Sequence, residues 1–103
     1  MKTNLPVVIA SSLLIAVAGL AHAAGGDAAA GKTKATQCAT CHGANGKGGG
    51  ANPAIAGMDK AKFVAAIADF KSGKRNNPMM GMMAKKLSDQ DAADLAAYFA
   101  TLK

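Results

Sequence analysis

The sequence predicts a small all-α domain. Several segments have the apolar spacing and capping residues of helices, and no segment alternates polar and apolar residues as a strand does. The 103 residues leave room for one small domain, which excludes a TIM barrel or a multispan transporter. Half of the residues are hydrophobic but only 4% are aromatic. Large apolar side chains are therefore few, and the hydrophobic core they can form is small. A domain of this size usually needs a disulfide, a metal or a cofactor to be stable, so we expect the helices and loops to surround a non-protein group.

The first two helices are predicted from caps and composition. The first runs from Asp27 to Thr36, with Asp27 as the N-cap of an alanine-rich segment. The second runs from Asp59 or Lys60 to Lys71 and ends before Gly73, a residue typical of helix C-termini. Its large apolar residues share one helical face: Phe63, Val64, Ile67 and Phe70.

The last helix has the clearest start signal. Ser88 and Asp91 resemble a capping box in which Asp replaces the usual Glu. An apolar stripe follows, made of Leu95, Tyr98, Phe99 and Leu102. A short helix is expected over Met80 to Lys86, and the segment from Gly43 to Gly57, rich in Gly, Ala and Asn, is predicted to be an irregular loop. The result is three main helices joined by loops.

The N-terminal residues have the three parts of a secretory signal peptide. Lys2 precedes an apolar run from Val7 to Leu20, and Ala21-His22-Ala23 has small residues where a signal peptidase reads the chain. The apolar run is about 14 residues long, whereas a membrane span needs about 20. We therefore predict cleavage after Ala23, a mature domain of residues 24–103, a periplasmic location and no stable membrane anchor.

The chain is basic, with twelve Lys and Arg against six acidic residues. Removal of residues 1–23 takes away one basic residue and no acidic one, which leaves a net charge of +5. Such a charge favours partners with acidic docking surfaces. Nucleic-acid binding is not expected, because aromatic residues are scarce and the chain carries an export signal.

The chemistry is concentrated in Cys38-Ala39-Thr40-Cys41-His42. Cys-x-x-Cys-His is the attachment motif for c-type haem: the two thiols add to the vinyl groups, and the adjacent imidazole binds the iron. Two alternatives are a thioredoxin-like dithiol and a structural zinc site. The first needs strands on both sides of the motif, and the second needs four ligands, of which Cys38, Cys41 and His42 supply three.

A second axial ligand is expected among the methionines. His22 leaves with the signal peptide, so His42 would be the only histidine of the mature chain. The thioether candidates are clustered about 40 residues after the motif: Met79, Met80, Met82 and Met83. Met58 is a weaker candidate, and those methionines that do not bind iron would fill gaps in the core. Spacing alone leaves the choice open.

Several segments together resemble the class I cytochromes c, in particular the small bacterial mono-haem branch related to single domains of the tandem di-haem cytochromes. The similar segments cover nearly all of the mature chain: Ala29–Lys32, Cys38–Gly43, Pro53–Gly57, Leu87–Asp91 and Leu95–Phe99. The resemblance implies the class I fold around one covalent haem c. It matches the axial methionine to Met80, counted back from Leu87.

The resemblance also implies two supporting roles. Pro53 matches the residue whose carbonyl accepts a hydrogen bond from the axial histidine, which would orient the imidazole and raise its basicity. Gly31 matches the small residue where the first and last helices cross, with Tyr98 as its partner. Independently of the resemblance, Arg75 is a candidate partner for a haem propionate among the basic residues.

The expected function is electron transport and not catalysis. A haem iron bound by His on one face and Met on the other would exchange single electrons with redox proteins. We expect the protein to act as a monomer or in transient complexes. The alternative is a cytochrome subunit of a larger oxidoreductase, such as a flavocytochrome dehydrogenase. A third hypothesis, a haem enzyme or gas sensor, requires an open position on the iron.

Overall fold

The computed structural model describes residues 25–50 and 52–102. The predicted leader, residues 1–23, and its cleavage point lie outside the described residues. Within them the chain forms five α-helices and no named strand: α1 (Ala28–Lys34), α2 (Thr36–His42), α3 (Lys60–Ser72), α4 (Pro78–Lys85) and α5 (Asp89–Ala100). A 3₁₀ turn covers Ala44–Gly46, and one isolated antiparallel bridge joins Gly49 and Asn52. The prediction of an all-α domain is confirmed.

Capping residues fix where the helices begin and end. The Asp27 side chain accepts hydrogen bonds from Ala29 N and Ala30 N at the start of α1. Ser88 and Asp91 form the complete capping box at the start of α5. Gly73 ends α3 with φ +82°, a left-handed conformation that a glycine adopts without a Cβ clash. These local signals lie where the sequence places them.

Two helix boundaries differ from the prediction by more than one residue. The first helix ends at Lys34 instead of Thr36, because Ala35 closes α1 with an N–H bond to Gly31 O and then caps α2. The Cys motif thus lies on a separate helix. The short fourth helix begins at Pro78 instead of Met80, because the Asn77 side chain caps it and proline favours the first helical position.

Helix α5 is the centre of the core. Leu95 and Phe99 are its most deeply buried large side chains, and the Phe99 ring stacks on Phe63 of α3 with centroids 5.6 Å apart. Tyr98 is half-buried and packs against the same cluster. Helix α5 therefore packs against α1 on one side and α3 on the other.

Helices α1 and α5 cross at Gly31. A Cβ built on Gly31 would lie 2.0 Å from Asp94 O and 2.8 Å from Tyr98 Cβ. Both distances are far below van der Waals contact, so only glycine allows the two backbones to approach this closely. The resemblance implied that Gly31 meets Tyr98 at this crossing, and Tyr98 is indeed one of its neighbours. The atoms closest to Gly31, however, belong to the main chain of Asp94.

Buried Asp94 ties α1 to α5 with polar contacts. Its carboxylate accepts hydrogen bonds from Asp27 N (2.8 Å) at the start of α1 and from Lys34 Nζ (2.6 Å) at the end. Gln90 Nε2 donates a further bond at 2.8 Å. The hydrogen bond from Lys34 lowers the pKa of Asp94 and outweighs the opposing effect of burial. One carboxylate thus holds both ends of α1.

Candidate haem site

The Cys motif occupies the last five residues of α2. Cys38 and Cys41 are one helical turn apart, which places both sulfurs on one side of the helix. Cys38 is half-buried and Cys41 is exposed. Burial, with a smaller contribution from the charge of Cys41, raises the pKa of the Cys38 thiol. The turn therefore presents its sulfurs at the edge of an apolar region.

His42 ends α2 and is oriented by the following loop. Its Nδ1 lies 2.8 Å from the carbonyl oxygen of Pro53, the contact that the resemblance implied. Because a carbonyl only accepts, Nδ1 carries the proton and donates it. The other ring nitrogen, Nε2, then keeps its lone pair, as a metal-binding imidazole requires.

Backbone contacts hold this loop against α2. Gly48 N donates to His42 O at 2.6 Å, and Asn52 Nδ2 donates to Cys41 O at 3.0 Å. Ile55 N and Ala56 N both donate to Gly46 O, at 2.7 and 2.9 Å. The loop thus folds back on the end of α2 and brings Pro53 to the imidazole, although the sequence predicts only an irregular segment here.

The methionine cluster lies on α4. The Asn77 side chain accepts from Met80 N at 3.1 Å and fixes the first turn of the helix. Met79 and Met82 are 72% and 61% exposed, whereas Met80 is half-buried and packs against the core. Lys71 Nζ donates to Leu87 O at 2.6 Å, which fastens the chain just beyond α4 to α3.

All of the predicted site residues line one cavity of about 640 Å³. Cys38, Cys41, His42 and Pro53 border it from α2 and its loop, and the four clustered methionines border it from α4. Met58 borders it as well. The remaining wall is largely apolar and comes from α3, α5 and their neighbours: Ile55, Phe63, Ala66, Ile67, Phe70, Leu87 and Leu95.

The residues of this cavity fit a haem. Its volume lies in the range of about 300–1,000 Å³ that is typical of cofactor sites. An apolar wall suits a porphyrin ring, the adjacent thiols suit its vinyl groups, and an imidazole with Nδ1 engaged suits its iron. Sequence reasoning missed the contribution of Asn52, for which the sequence carries no specific signal. From the sequence, the apolar face of α3 was predicted only as part of the hydrophobic core and not as a wall of this cavity.

The residues that the structure describes hold no cluster of three or more His, Cys, Asp or Glu that could bind a metal ion by itself. The zinc hypothesis requires four ligands.

In the part of the chain that the structure describes, no helix combines the length and the apolar character needed to cross a membrane.

Comparison with known proteins identifies the family. The family model described as "Cytochrome c" matches residues 28–103, and the chain therefore belongs to the cytochrome c family. The resemblance to class I c-type cytochromes is confirmed, and one covalent haem c is the cofactor that this family membership implies.

Individual relatives show which members of the cytochrome c family the chain resembles. Cytochrome c4 of Pseudomonas aeruginosa is 48% identical over 92 residues, an alignment that covers 88% of this chain and 45% of that protein. Cytochrome c-554(547) of Halothiobacillus neapolitanus is 41% identical over 90 residues, covering 76% of this chain and 99% of that protein. The solved cytochrome c4 of Acidithiobacillus ferrooxidans superimposes with a TM-score of 0.72 at 30% identity, covering 75% of this chain and 50% of that one.

The chain spans about half the length of the cytochromes c4 that it matches, and nearly the full length of cytochrome c-554(547). A third kind of relative is the thiosulfate dehydrogenase electron acceptor of Stutzerimonas stutzeri, 43% identical over 65 residues that cover 61% of this chain and 30% of that protein.

Proposed function

We propose that this protein is a periplasmic carrier of single electrons, with one haem attached through Cys38 and Cys41 and bound axially by His42 and Met80. The observation that carries the proposal is that all four side chains border the same cavity, with the imidazole already oriented by Pro53. The bound haem supplies an iron that cycles between Fe(II) and Fe(III).

Each protein group has a distinct part in this proposal. The thioether bonds of Cys38 and Cys41 make the attachment permanent. Pro53 would hold His42 in one orientation through the Nδ1 hydrogen bond. Met80 supplies a thioether, a ligand that favours the reduced iron and raises the reduction potential relative to a second histidine. With His42 and Met80 holding the iron, no coordination position would be left for a small molecule.

Met80 is favoured over its neighbours by its environment. It packs against the core, whereas Met79 and Met82 are mostly exposed. Met83 is half-buried and remains the alternative that the test must separate from Met80. The asparagine cap adjacent to Met80 also fixes the backbone of this residue at the start of α4.

The axial ligand is tested by near-infrared spectroscopy of the oxidised protein. A Met–iron bond gives a charge-transfer band in this region, and Met80→Ala should abolish the band while Met79→Ala leaves it intact. Loss of the band in Met83→Ala but not in Met80→Ala would assign the bond to Met83. A high-spin spectrum that shifts on addition of CO in the parent protein would refute the electron-carrier proposal in favour of an enzyme or sensor.

Docking is proposed to use the positive charge of the chain. Two ionised propionates would lower the net charge of the mature protein from +5 to about +3, which still favours acidic partners. The segment 70–88, which carries α4 and the methionines, has five basic residues and no acidic one. Electron transfer to an acidic partner should therefore slow as ionic strength rises.

A second candidate function is that of a cytochrome subunit or dedicated acceptor of a dehydrogenase. The similarity to thiosulfate dehydrogenase electron acceptors favours it, because those relatives are named for that role. The same haem site would serve both functions. Gel filtration of native periplasm separates them: elution at the size of residues 24–103 supports the free carrier, and co-elution with a larger dehydrogenase supports the subunit.

Export and haem attachment are tested together by mass spectrometry of the protein recovered from periplasm. We expect the mass of residues 24–103 plus one haem. Retention of residues 1–23 would refute cleavage after Ala23, and the bare polypeptide mass in cells with intact cytochrome maturation would refute covalent attachment.

A further inference from the structure

We propose that Asn52 is a positioning residue for the axial histidine: its side chain holds the Pro53 carbonyl against His42 and thereby helps to set the reduction potential. The inference rests on the proposed binding of iron by His42. Asn52 directly precedes Pro53, whose carbonyl oxygen lies 2.8 Å from Nδ1 of the imidazole. A contact that fixes the backbone at this point therefore fixes the hydrogen-bond acceptor of the histidine.

Asn52 is bonded through its side chain and through its main chain. Its Nδ2 donates to the carbonyl oxygen of Cys41 at 3.0 Å. Its main-chain N donates to Gly49 O at 3.1 Å and its main-chain O accepts from Gly49 N at 3.2 Å, which is the isolated antiparallel bridge of the fold. The residue before Pro53 is thus tied to the motif helix on one side and to its own loop on the other.

The side-chain bond of Asn52 also completes the end of α2. The last carbonyl groups of an α-helix have no partner inside the helix. In this helix the Cys41 carbonyl accepts from Asn52, and the His42 carbonyl accepts from Gly48 N at 2.6 Å. The Asn52 amide therefore joins the helix that carries the histidine to the segment that carries the acceptor of that histidine.

The Asn52 amide can be removed without removing the other anchors of the loop. After Pro53, Ile55 N and Ala56 N donate to Gly46 O at 2.7 and 2.9 Å, and these are bonds between main-chain atoms. Among the described residues, the amide bond and the His42–Pro53 contact are the side-chain hydrogen bonds between this loop and α2. A substitution at Asn52 therefore acts on the position of Pro53 more than on the path of the whole loop.

The position of Pro53 has a consequence for the iron. A metal-bound imidazole is a stronger electron donor when its second nitrogen donates a hydrogen bond, and a stronger donor favours the oxidised metal. If the Pro53 carbonyl is held less closely, the Nδ1 hydrogen bond opens more often and the imidazole becomes a weaker donor. Loss of the Asn52 amide should therefore raise the reduction potential.

The test is Asn52→Ala in the haem-loaded protein, with two measurements. The first is the rate at which the Nδ1 proton of His42 exchanges with solvent in the reduced protein, followed by NMR. We expect exchange to be about 2- to 10-fold faster, the factor that corresponds to the loss of one ordinary hydrogen bond. The second is the reduction potential, which should be higher than in the parent.

Asn52→Asp separates the amide donor from the size of the side chain. The ionised carboxylate has nearly the same shape but cannot donate to the Cys41 carbonyl, so exchange of the Nδ1 proton should again be faster. Its added negative charge also changes the potential, so this variant is compared by exchange alone. It takes the place of Asn52→Ala if that variant does not acquire haem.

Asn76→Ala is the matched control, because it truncates an exposed asparagine that does not border the haem cavity. We expect it to leave both measurements unchanged. Parent values of exchange and potential in Asn52→Ala would overturn the inference even if the urea midpoint fell, since the residue would then serve stability alone. Equal changes in Asn52→Ala and Asn76→Ala would overturn it as well.

Failure of this inference is distinguishable from failure of the proposed function. The mass and the near-infrared band of the parent protein report haem attachment and the Met–iron bond without reference to Asn52. A parent that carries the haem and shows the band, together with Asn52 variants that exchange like the parent, refutes the positioning role alone. A parent without covalent haem refutes both.

Discussion

The crossing of α1 and α5 at Gly31 provides a sharp test of the packing. In Gly31→Ala the new Cβ would lie 2.0 Å from Asp94 O, and ordinary contact begins near 3.4 Å, so α1 must move away by more than 1 Å. The obstructing atoms belong to the main chain of a helix and have no freedom to rotate aside. The same displacement would stretch the bonds from Asp94 to both ends of α1.

The magnitude follows from three contributions. Overpacking of a tight contact costs about 1–3 kcal/mol. Weakening the two hydrogen bonds between Asp94 and α1 costs about 1–2 kcal/mol in addition. Alanine recovers about 1 kcal/mol through its higher helix propensity. The net expectation is a loss of about 1–4 kcal/mol, a large fraction of the stability of so small a domain.

Gly81→Ala is the matched control, since Gly81 also lies inside a helix. Its added Cβ would meet only Phe70 O, at an ordinary 3.6 Å. Helix propensity should therefore dominate and stabilise the protein by up to about 1 kcal/mol. The assay is urea unfolding of the haem-loaded protein, followed by circular dichroism. A Gly31→Ala midpoint equal to that of the parent, or a shift in the same direction for both variants, would refute the packing argument.

Three further predictions concern polar contacts. Asp94→Asn should destabilise the protein by about 1–3 kcal/mol in urea unfolding, because a buried carboxylate that accepts from Asp27 N, Lys34 and Gln90 loses its charge; an unchanged midpoint would contradict this. The hydrogen bond from Lys34 lowers the pKa of Asp91 from 3.8 to about 2. The stabilisation from Asp91 is therefore present above about pH 4 and is lost as the pH falls towards 2. Asp91→Asn should flatten this part of an acid-unfolding curve. Lys71→Met keeps the aliphatic stem but removes the bond to Leu87 O, and should cost about 1–2 kcal/mol in the same urea assay.

The sequence was most informative where the signal was local. The caps of α1 and α5 and the left-handed end of α3 depend on residues within a few positions of one another, and each is visible as a short pattern. The start of α4 was missed, although Asn77 followed by Pro78 is a cap and a first-turn proline, which is also a local signal. The break at Ala35 had no such signal, because the alanine-rich segment suits one helix or two.

Local patterns did not predict contacts between distant residues, and the Gly31–Tyr98 and His42–Pro53 contacts were expected only from the family resemblance. Asp94 bonds to Lys34 and Asp27, which are 60 and 67 residues away, and nothing in the pattern around Asp94 distinguishes it from a solvent-exposed aspartate near a helix start. For the candidate site, the motif specified Cys38, Cys41 and His42 by chemistry alone. Spacing alone left the methionine ambiguous, because Met79, Met80, Met82 and Met83 are so close together in the sequence.

The structure separates the part of the fold that holds α1 from the part that receives the haem, and α5 belongs to both. Asp94 is bonded to α1, while its neighbour Leu95 lines the cavity. Although α1 leads directly into the Cys motif helix, the methionines are carried by α4. We therefore expect changes at Gly31 or Asp94 to lower stability while the Met–iron band is retained in the folded state. Met80→Ala on α4 should abolish that band with a smaller effect on unfolding. This contrast follows from α4 contributing the methionines but no part of the α1–α5 crossing.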